Sequence, residues 1–257
     1  MSQNWKVWDS NPEYGDTFYN RSIGSLPEME SSKCIAKYIK KIIRTGDKIL
    51  DVGCGAGHYL VSLDKVLEID FSYHGVDSTQ YYIEQAKKAF LPDQNKNPRR
   101  KETVFNVADI YNLKLSDNFA QIVMCNNVLL HLPSIKQPLQ ELWRVTKKYL
   151  VIRTLIGRCS YIVKQVNEPE EYSESGEPIN FNYLNIYSEN FLKKLLGNLK
   201  RVKKVNLFTD NYFNPKNIGN INYKNRKKPK DLTTIVDGMQ VNNYIIYPWK
   251  IIILEKK

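Results

Sequence analysis

Cysteine is scarce in this chain of 257 residues. Cys34, Cys54, Cys125 and Cys159 lie far apart and show neither C-x-x-C nor metal-ligand spacing. A reduced cytoplasmic protein without a metal site is the default expectation. No apolar run approaches the roughly 18 residues that suggest a membrane span, so no membrane role is expected. The opening MSQNWKVWDS lacks a basic stretch followed by an apolar one, which argues against a signal peptide. Internal repeats and heptads are missing as well. Acidic residues run out towards one end. Residues 191–257 hold only 4 of the 27 Asp and Glu but 15 of the 38 Lys and Arg, and so supply the whole net charge of +11. Such an end attracts anionic partners, namely phosphorylated metabolites, nucleic acid or an acidic surface, or else it is a solvated lysine-rich face.

With 42% hydrophobic and 25% charged residues, the composition is that of a soluble globular protein, best read as one domain with insertions. The first 27 residues, rich in aromatics and broken by Pro12, Gly15, Gly24 and Pro27, read as an irregular or partly helical cover. From residue 28 a regular rhythm begins. Ile35, Ala36, Ile39, Ile42 and Ile43 stand at helical spacing before Gly46. KILDV then reads as a strand and GAGHYLVSLDKVL as a helix. YHGVD is a strand, and STQYYIEQAKKAF a helix with Ser78 as its expected N-cap. TVFNVAD, FAQIVMCNN and KYLVIRTL are further strands, the last two separated by the helix SIKQPLQELWRV. This alternation predicts βαβ units and a parallel sheet covered on both faces. Ligands of such sheets bind beyond the carboxyl ends of the strands, a rim that holds Gly53, Gly55, Gly57, Asp77, Asp109 and Asn126.

Residues 157–187 and 209–246 break the rhythm and read as insertions on the substrate side, separated by the helix SENFLKKLLGNL and the strand KRVKKVNLF. YPWKIIILEKK is the final strand. The glycine turn DVGCGAG brings backbone close to a ligand at a helix N-terminus, but its spacing is not the G-x-G-x-x-G of dinucleotide sites. An acid ending the next strand, Asp77, suits both hydroxyls of a ribose, although it also suits a helix cap. A carboxylate at Asp109 suits an exocyclic amine with Ile110 against the ring, although Asp109 equally suits an Asx turn. Cys54 fits the turn as a small residue and has no basic neighbour that would activate a thiol.

In order and spacing, KILDVGCGAGHYL, HGVDST, VADIYNL, FAQIVMCNNVLLHL and ELWRVTKKYLVI resemble the class I S-adenosylmethionine-dependent methyltransferases, over residues 48–151. The resemblance implies a doubly wound α/β sheet of seven mostly parallel strands, the last antiparallel, with cap insertions. It implies S-adenosyl-L-methionine as cofactor. Gly53, Cys54 and Gly55 would then lie by the methionine part, Asp77 and Ser78 by the ribose, Asp109 and Ile110 by the adenine, and Asn126 by the methionine part through its backbone. The family's usual Pro-Gly-Gly turn before the fifth strand is replaced here by Thr146-Lys147-Lys148-Tyr149, remote from the cofactor.

Methyl transfer requires placement and exclusion of water, and a hydroxyl acceptor also benefits from a base. His131, just beyond the fourth strand, is the candidate base, with local packing as its other reading. His58 and His74 read as structural. Arg21 suits the cofactor carboxylate. Tyr14, Tyr19, Tyr161, Tyr183, Tyr212, Tyr223 and Tyr244 are candidate linings of an aromatic cap, with the covering of apolar surface as their other reading. These features predict methyl transfer to an oxygen or nitrogen of a small-molecule acceptor, with Arg226, Lys227, Lys228 and Lys230 steering an acidic or phosphorylated one. Methylation of RNA through the basic region, and a non-catalytic cofactor-binding domain, are the alternatives.

Overall fold

The structure, a computed structural model, describes residues 12–92, 97–210, 234–236, 239–241 and 249–257. The elements of the core alternate. They run β1 (Asp47–Val52), α3 (His58–Val66), β2 (Phe71–Asp77), α4 (Gln80–Phe90), β3 (Arg100–Val107), β4 (Ala120–Asn126), α5 (Lys136–Val145) and β5 (Thr146–Gly157). Before them stand α1 (Pro12–Ser22) and α2 (Glu30–Ile42). After them come β6 (Lys164–Val166), β7 (Phe181–Tyr183), β8 (Tyr187–Ser188), α6 (Glu189–Gly197), β9 (Val202–Thr209), β10 (Thr234–Val236), β11 (Met239–Val241) and β12 (Trp249–Lys256).

Seven strands form a continuous sheet in the order β3-β2-β1-β4-β5-β12-β9, and the two-residue β8 pairs with the end of β5. Strands β1 to β5 are mutually parallel, while β12 runs antiparallel to both β5 and β9. The seven-stranded sheet with an antiparallel final strand is thus the one expected, with β8 as an addition.

Alternation along the strands explains why both faces carry helices. Leu50, Val123, Leu150 and Ile252 point into one core with α5 and α6. Their neighbours Ile49, Ile122, Val151 and Ile251 point into the other, where they meet Ile35 and Ile39 of α2, Leu60 and Leu63 of α3 and Ile83 of α4. A strand segment buried on both faces is apolar at successive positions, which is why IL in β1, IVMC in β4 and LVI in β5 are unbroken apolar runs.

Several local expectations shift. The helix after the second strand starts at Gln80, with Thr79 in the capping position, so Ser78 is not its cap. α2 ends at Ile42, and Gly46 serves the following turn, its φ of 84° letting its N–H reach the Asp70 carbonyl at 2.8 Å. Thr146 to Tyr149 form no turn: α5 passes straight into β5, and the Thr146 hydroxyl donates back to the Leu142 carbonyl at 2.6 Å. The expected cover over the first 27 residues contains the helix α1. In the first insertion, β6 and β7 form an antiparallel pair. Of the 209–246 insertion, Thr209, Asp210 and the antiparallel pair β10–β11 are described. Tyr212, Tyr223, Arg226, Lys227, Lys228, Lys230 and Tyr244, as well as the side chain of Tyr14, lie outside the described residues.

Candidate active site

The glycine turn closes against the neighbouring strand. The N–H groups of Gly53 and Cys54 both donate to the Val76 carbonyl, at 2.7 and 3.0 Å. Gly53 has φ of 79°, and a Cβ built there would lie 2.2 Å from Cγ2 of Val128. Gly55 has φ of 53°, and its Cβ would meet the Phe18 ring at 3.0 Å. Both positions therefore exclude a side chain on conformational and steric grounds. Between them, the buried Cys54 thiol turns inward, where a Cβ on Gly75 would come within 2.9 Å of its sulfur. Burial, then the charges of Asp77 and Asp51, push its pKa well above the usual thiol value, so Cys54 stays protonated and its side chain is not part of the cavity wall.

Asp77, the last residue of β2, is fixed by two backbone amides. Its Oδ2 accepts from Gly55 N–H at 2.9 Å and its Oδ1 from Thr79 N–H at 3.0 Å. The carboxylate stands at the cavity wall. Beyond β3, Asp109 Oδ1 accepts from Tyr111 N–H at 2.9 Å, which is an Asx turn, and presents the buried Ile110 beside it.

One cavity brings most of the expected residues together: Gly53, Gly55, Asp77, Ser78, Asp109, Ile110, Asn126 and His131 all line it. Phe18, Met29, Val52, His58, Tyr59, Tyr82, Ala108, Asn127, Val128 and Leu132 complete the wall, and none of them is among the expected site residues. For His58 and Tyr59 a signal was present, since they directly follow the glycine turn. Phe18 had none: it reaches the site because α1 packs across the turn, where Ser22 donates to the Ala56 carbonyl at 2.8 Å. Arg21 is not in the wall. It lies in the last turn of α1, and its Nη1 donates to the Pro27 carbonyl at 3.4 Å.

The three histidines differ. His58 stacks on Phe18 at 4.4 Å, and burial followed by the nearby Arg21 charge lowers its pKa to about 3, so it is neutral. His74 packs edge-on against Phe119, and burial lowers its pKa. His131 ends a 3-10 turn (Leu129–His131), with Nδ1 2.8 Å from the Tyr183 carbonyl. Burial lowers its pKa, and the bond to Tyr183 only partly opposes this. A carbonyl can only accept, so Nδ1 bears the proton and Nε2 the lone pair.

Residues 43–206 match the sequence pattern of the family described as Methyltransferase domain. The chain belongs to the class I S-adenosylmethionine-dependent methyltransferases. An uncharacterized methyltransferase of Schizosaccharomyces pombe is 32% identical over 140 residues, which are 52% of this chain and 48% of that protein. A demethylmenaquinone methyltransferase of Lactobacillus johnsonii is 30% identical over 112 residues, 43% of this chain and 44% of that one. The chain thus spans about half the length, or less, of the curated relatives it matches. Among solved structures, magnesium protoporphyrin IX methyltransferase of Synechocystis, with bound S-adenosylhomocysteine, superposes with a TM-score of 0.56 over 98% of each chain at 11% identity. That likeness concerns the fold alone.

The residues of this chain fit the family's cofactor. Asn126 is buried, and neither its Oδ1 nor its Nδ2 has a hydrogen-bond partner among the described residues. A buried amide left without partners at a cavity wall is costly unless a ligand or water supplies them. The fixed Asp77 carboxylate and the Cβ-free approach at Gly53 and Gly55 add acceptors and room on the same rim. Among the described residues no cluster of His, Cys, Asp and Glu suits a metal ion, and no helix is long and apolar enough to cross a membrane.

Proposed function

We propose that this chain transfers a methyl group from S-adenosylmethionine to an oxygen or nitrogen of a small-molecule acceptor held beneath an aromatic cover. The observation that carries the reading is the Asp77 carboxylate, clamped by the Gly55 and Thr79 amides at the edge of the cavity that also holds the unpartnered Asn126 amide. When bound, the cofactor supplies a methyl group already activated by its sulfonium. Asp77 accepts from the ribose hydroxyls, with Ser78 beside it. Asp109 accepts from the adenine amine, and Ile110 packs on the ring. The Asn126 amide and the backbone of Gly53 and Gly55 hold the methionine part. Phe18, Tyr59 and Tyr82 exclude water, which strengthens every charge interaction inside. His131, neutral and with its lone pair on Nε2, takes the proton of a hydroxyl or ammonium acceptor.

Charge supports an uncharged or cationic occupant. Among the described residues the wall carries the carboxylates of Asp77 and Asp109 and no Lys or Arg, and both of its histidines have lowered pKa values. An acidic or phosphorylated acceptor, like an RNA, would depend on Arg226, Lys227, Lys228 and Lys230, outside the described residues. Arg21 is proposed to serve the cofactor carboxylate only if α1 shifts, because its guanidinium is turned to Pro27.

Calorimetric titration with S-adenosylhomocysteine, with NAD as control, tests the reading. Saturable binding of the homocysteine compound alone is expected. Binding of NAD instead, or of neither, would overturn it.

A further inference from the structure

Asn185 lies between β7 and β8 and is fully buried. Its backbone N–H donates to the Leu130 carbonyl at 2.8 Å. Its side-chain Nδ2 donates to the Leu132 carbonyl at 2.8 Å and reaches the Tyr187 hydroxyl at 3.3 Å. Its Oδ1 accepts from Val163 N–H at 3.1 Å. The Tyr187 hydroxyl in turn donates to the Leu129 carbonyl at 3.1 Å. One side chain therefore donates to the turn that carries His131 and accepts from the chain entering β6. A primary amide carries its donor and its acceptor on separate atoms, so it makes both contacts at once.

The consequence lies two residues upstream. Leu184 N–H donates to the Val163 carbonyl at 3.0 Å, so the backbone leaving β7 is pinned at Leu184 and Asn185, and the peptide plane that Leu184 N–H shares with the Tyr183 carbonyl is held. That fixes the Tyr183 carbonyl opposite His131 Nδ1. A neutral imidazole carries one N–H, and the hydrogen bond made by one ring nitrogen decides which of the two holds it. We propose that Asn185 is a positioning residue that holds the Tyr183 carbonyl against His131 and thereby fixes the imidazole as its Nδ1–H tautomer, with Nε2 as the basic nitrogen. In the opposite tautomer Nε2 would carry the hydrogen and could accept no proton. The functional meaning of this device rests on the reading of His131 as a base; its structural content does not.

Nitrogen NMR of the three imidazoles in the full chain tests it near neutral pH, where the lowered pKa leaves His131 neutral. The signals of His131 are assigned by their loss in His131→Ala. In the wild type Nδ1 is expected to be pyrrole-like and Nε2 pyridine-like. Asn185→Asp keeps the size but replaces the donor to Leu132 by an acceptor, and the two shifts should move towards each other as both tautomers become populated. Should that variant fail to fold, Tyr187→Phe removes only the hydroxyl linking Asn185 to Leu129, and a smaller movement in the same direction is expected. A wild type protonated at Nε2, or a folded variant keeping the wild-type pair of shifts, would overturn the proposal. Wild-type turnover in His131→Ala would instead remove the base and leave the tautomer result standing.

Discussion

Asp77→Ala is the most informative single change. The carboxylate is held by the amides of Gly55 and Thr79 at 2.9 and 3.0 Å, so its oxygens are fixed before any ligand arrives. Hydrogen bonds to a charged group contribute about 1.5–3 kcal/mol each. Losing two to a ribose diol, at the low end of that range because the site is only half-buried, costs about 3 kcal/mol. At 1.4 kcal/mol per decade that is roughly a 100-fold rise in Kd for S-adenosylhomocysteine. Asp77→Asn keeps the shape but turns one acceptor into a donor facing an amide N–H, so a smaller loss of about tenfold is expected. Calorimetry measures both, with thermal unfolding as the check that the variants remain folded. Adenine alone, which lacks the ribose, should bind the wild type and both variants alike. An affinity for the homocysteine compound within threefold of wild type in a folded Asp77→Ala would refute the ribose assignment.

Other consequences follow from the same geometry. Arg153→Met removes the cation 2.7 Å from the buried Asp210 and should cost about 3–5 kcal/mol in denaturant unfolding. Exchanging both members for apolar residues should recover much of that loss, and a double variant as unstable as the single one would contradict the argument. Gly53→Ala forces a non-glycine residue to φ of 79° and drives its Cβ into Val128. A backbone penalty of about 1–2 kcal/mol is expected, plus a steric part that Val128→Ala relieves in the double variant. Asp51, buried against the Tyr73 hydroxyl at 2.7 Å, has its pKa raised to about 7, chiefly by burial and also by the Asp77 charge. The folded state thus keeps a proton that the unfolded chain gives up near pH 4. This contribution, at most about 4 kcal/mol, is complete below that pH and lost as pH rises towards 7. Subtracting the Asp51→Asn stability curve from that of the wild type should isolate this fall, and a flat difference would show that Asp51 is already ionised in the fold.

The amino-acid sequence determined the sheet and its rim. Unbroken apolar runs, the 2.0 and 3.6 periodicities and the glycine turn are local signals, and they located the strands of the parallel sheet and the strand-end acids Asp77 and Asp109, while the antiparallel direction of the last strand followed from the family resemblance. Those signals are legible because each arises from backbone geometry over a few residues. Tertiary structure decided the rest. Phe18 enters the cavity because it stacks on His58 beside the glycine turn, and Arg21 three residues later does not, its guanidinium being turned to the Pro27 carbonyl. Ser78 yields the cap position to Thr79 because the Asp77 carboxylate already takes the Thr79 N–H. Arg153 meets Asp210, and His131 meets Tyr183, across more than fifty residues of chain. Such contacts depend on how separate elements pack, and no periodicity within one element encodes them.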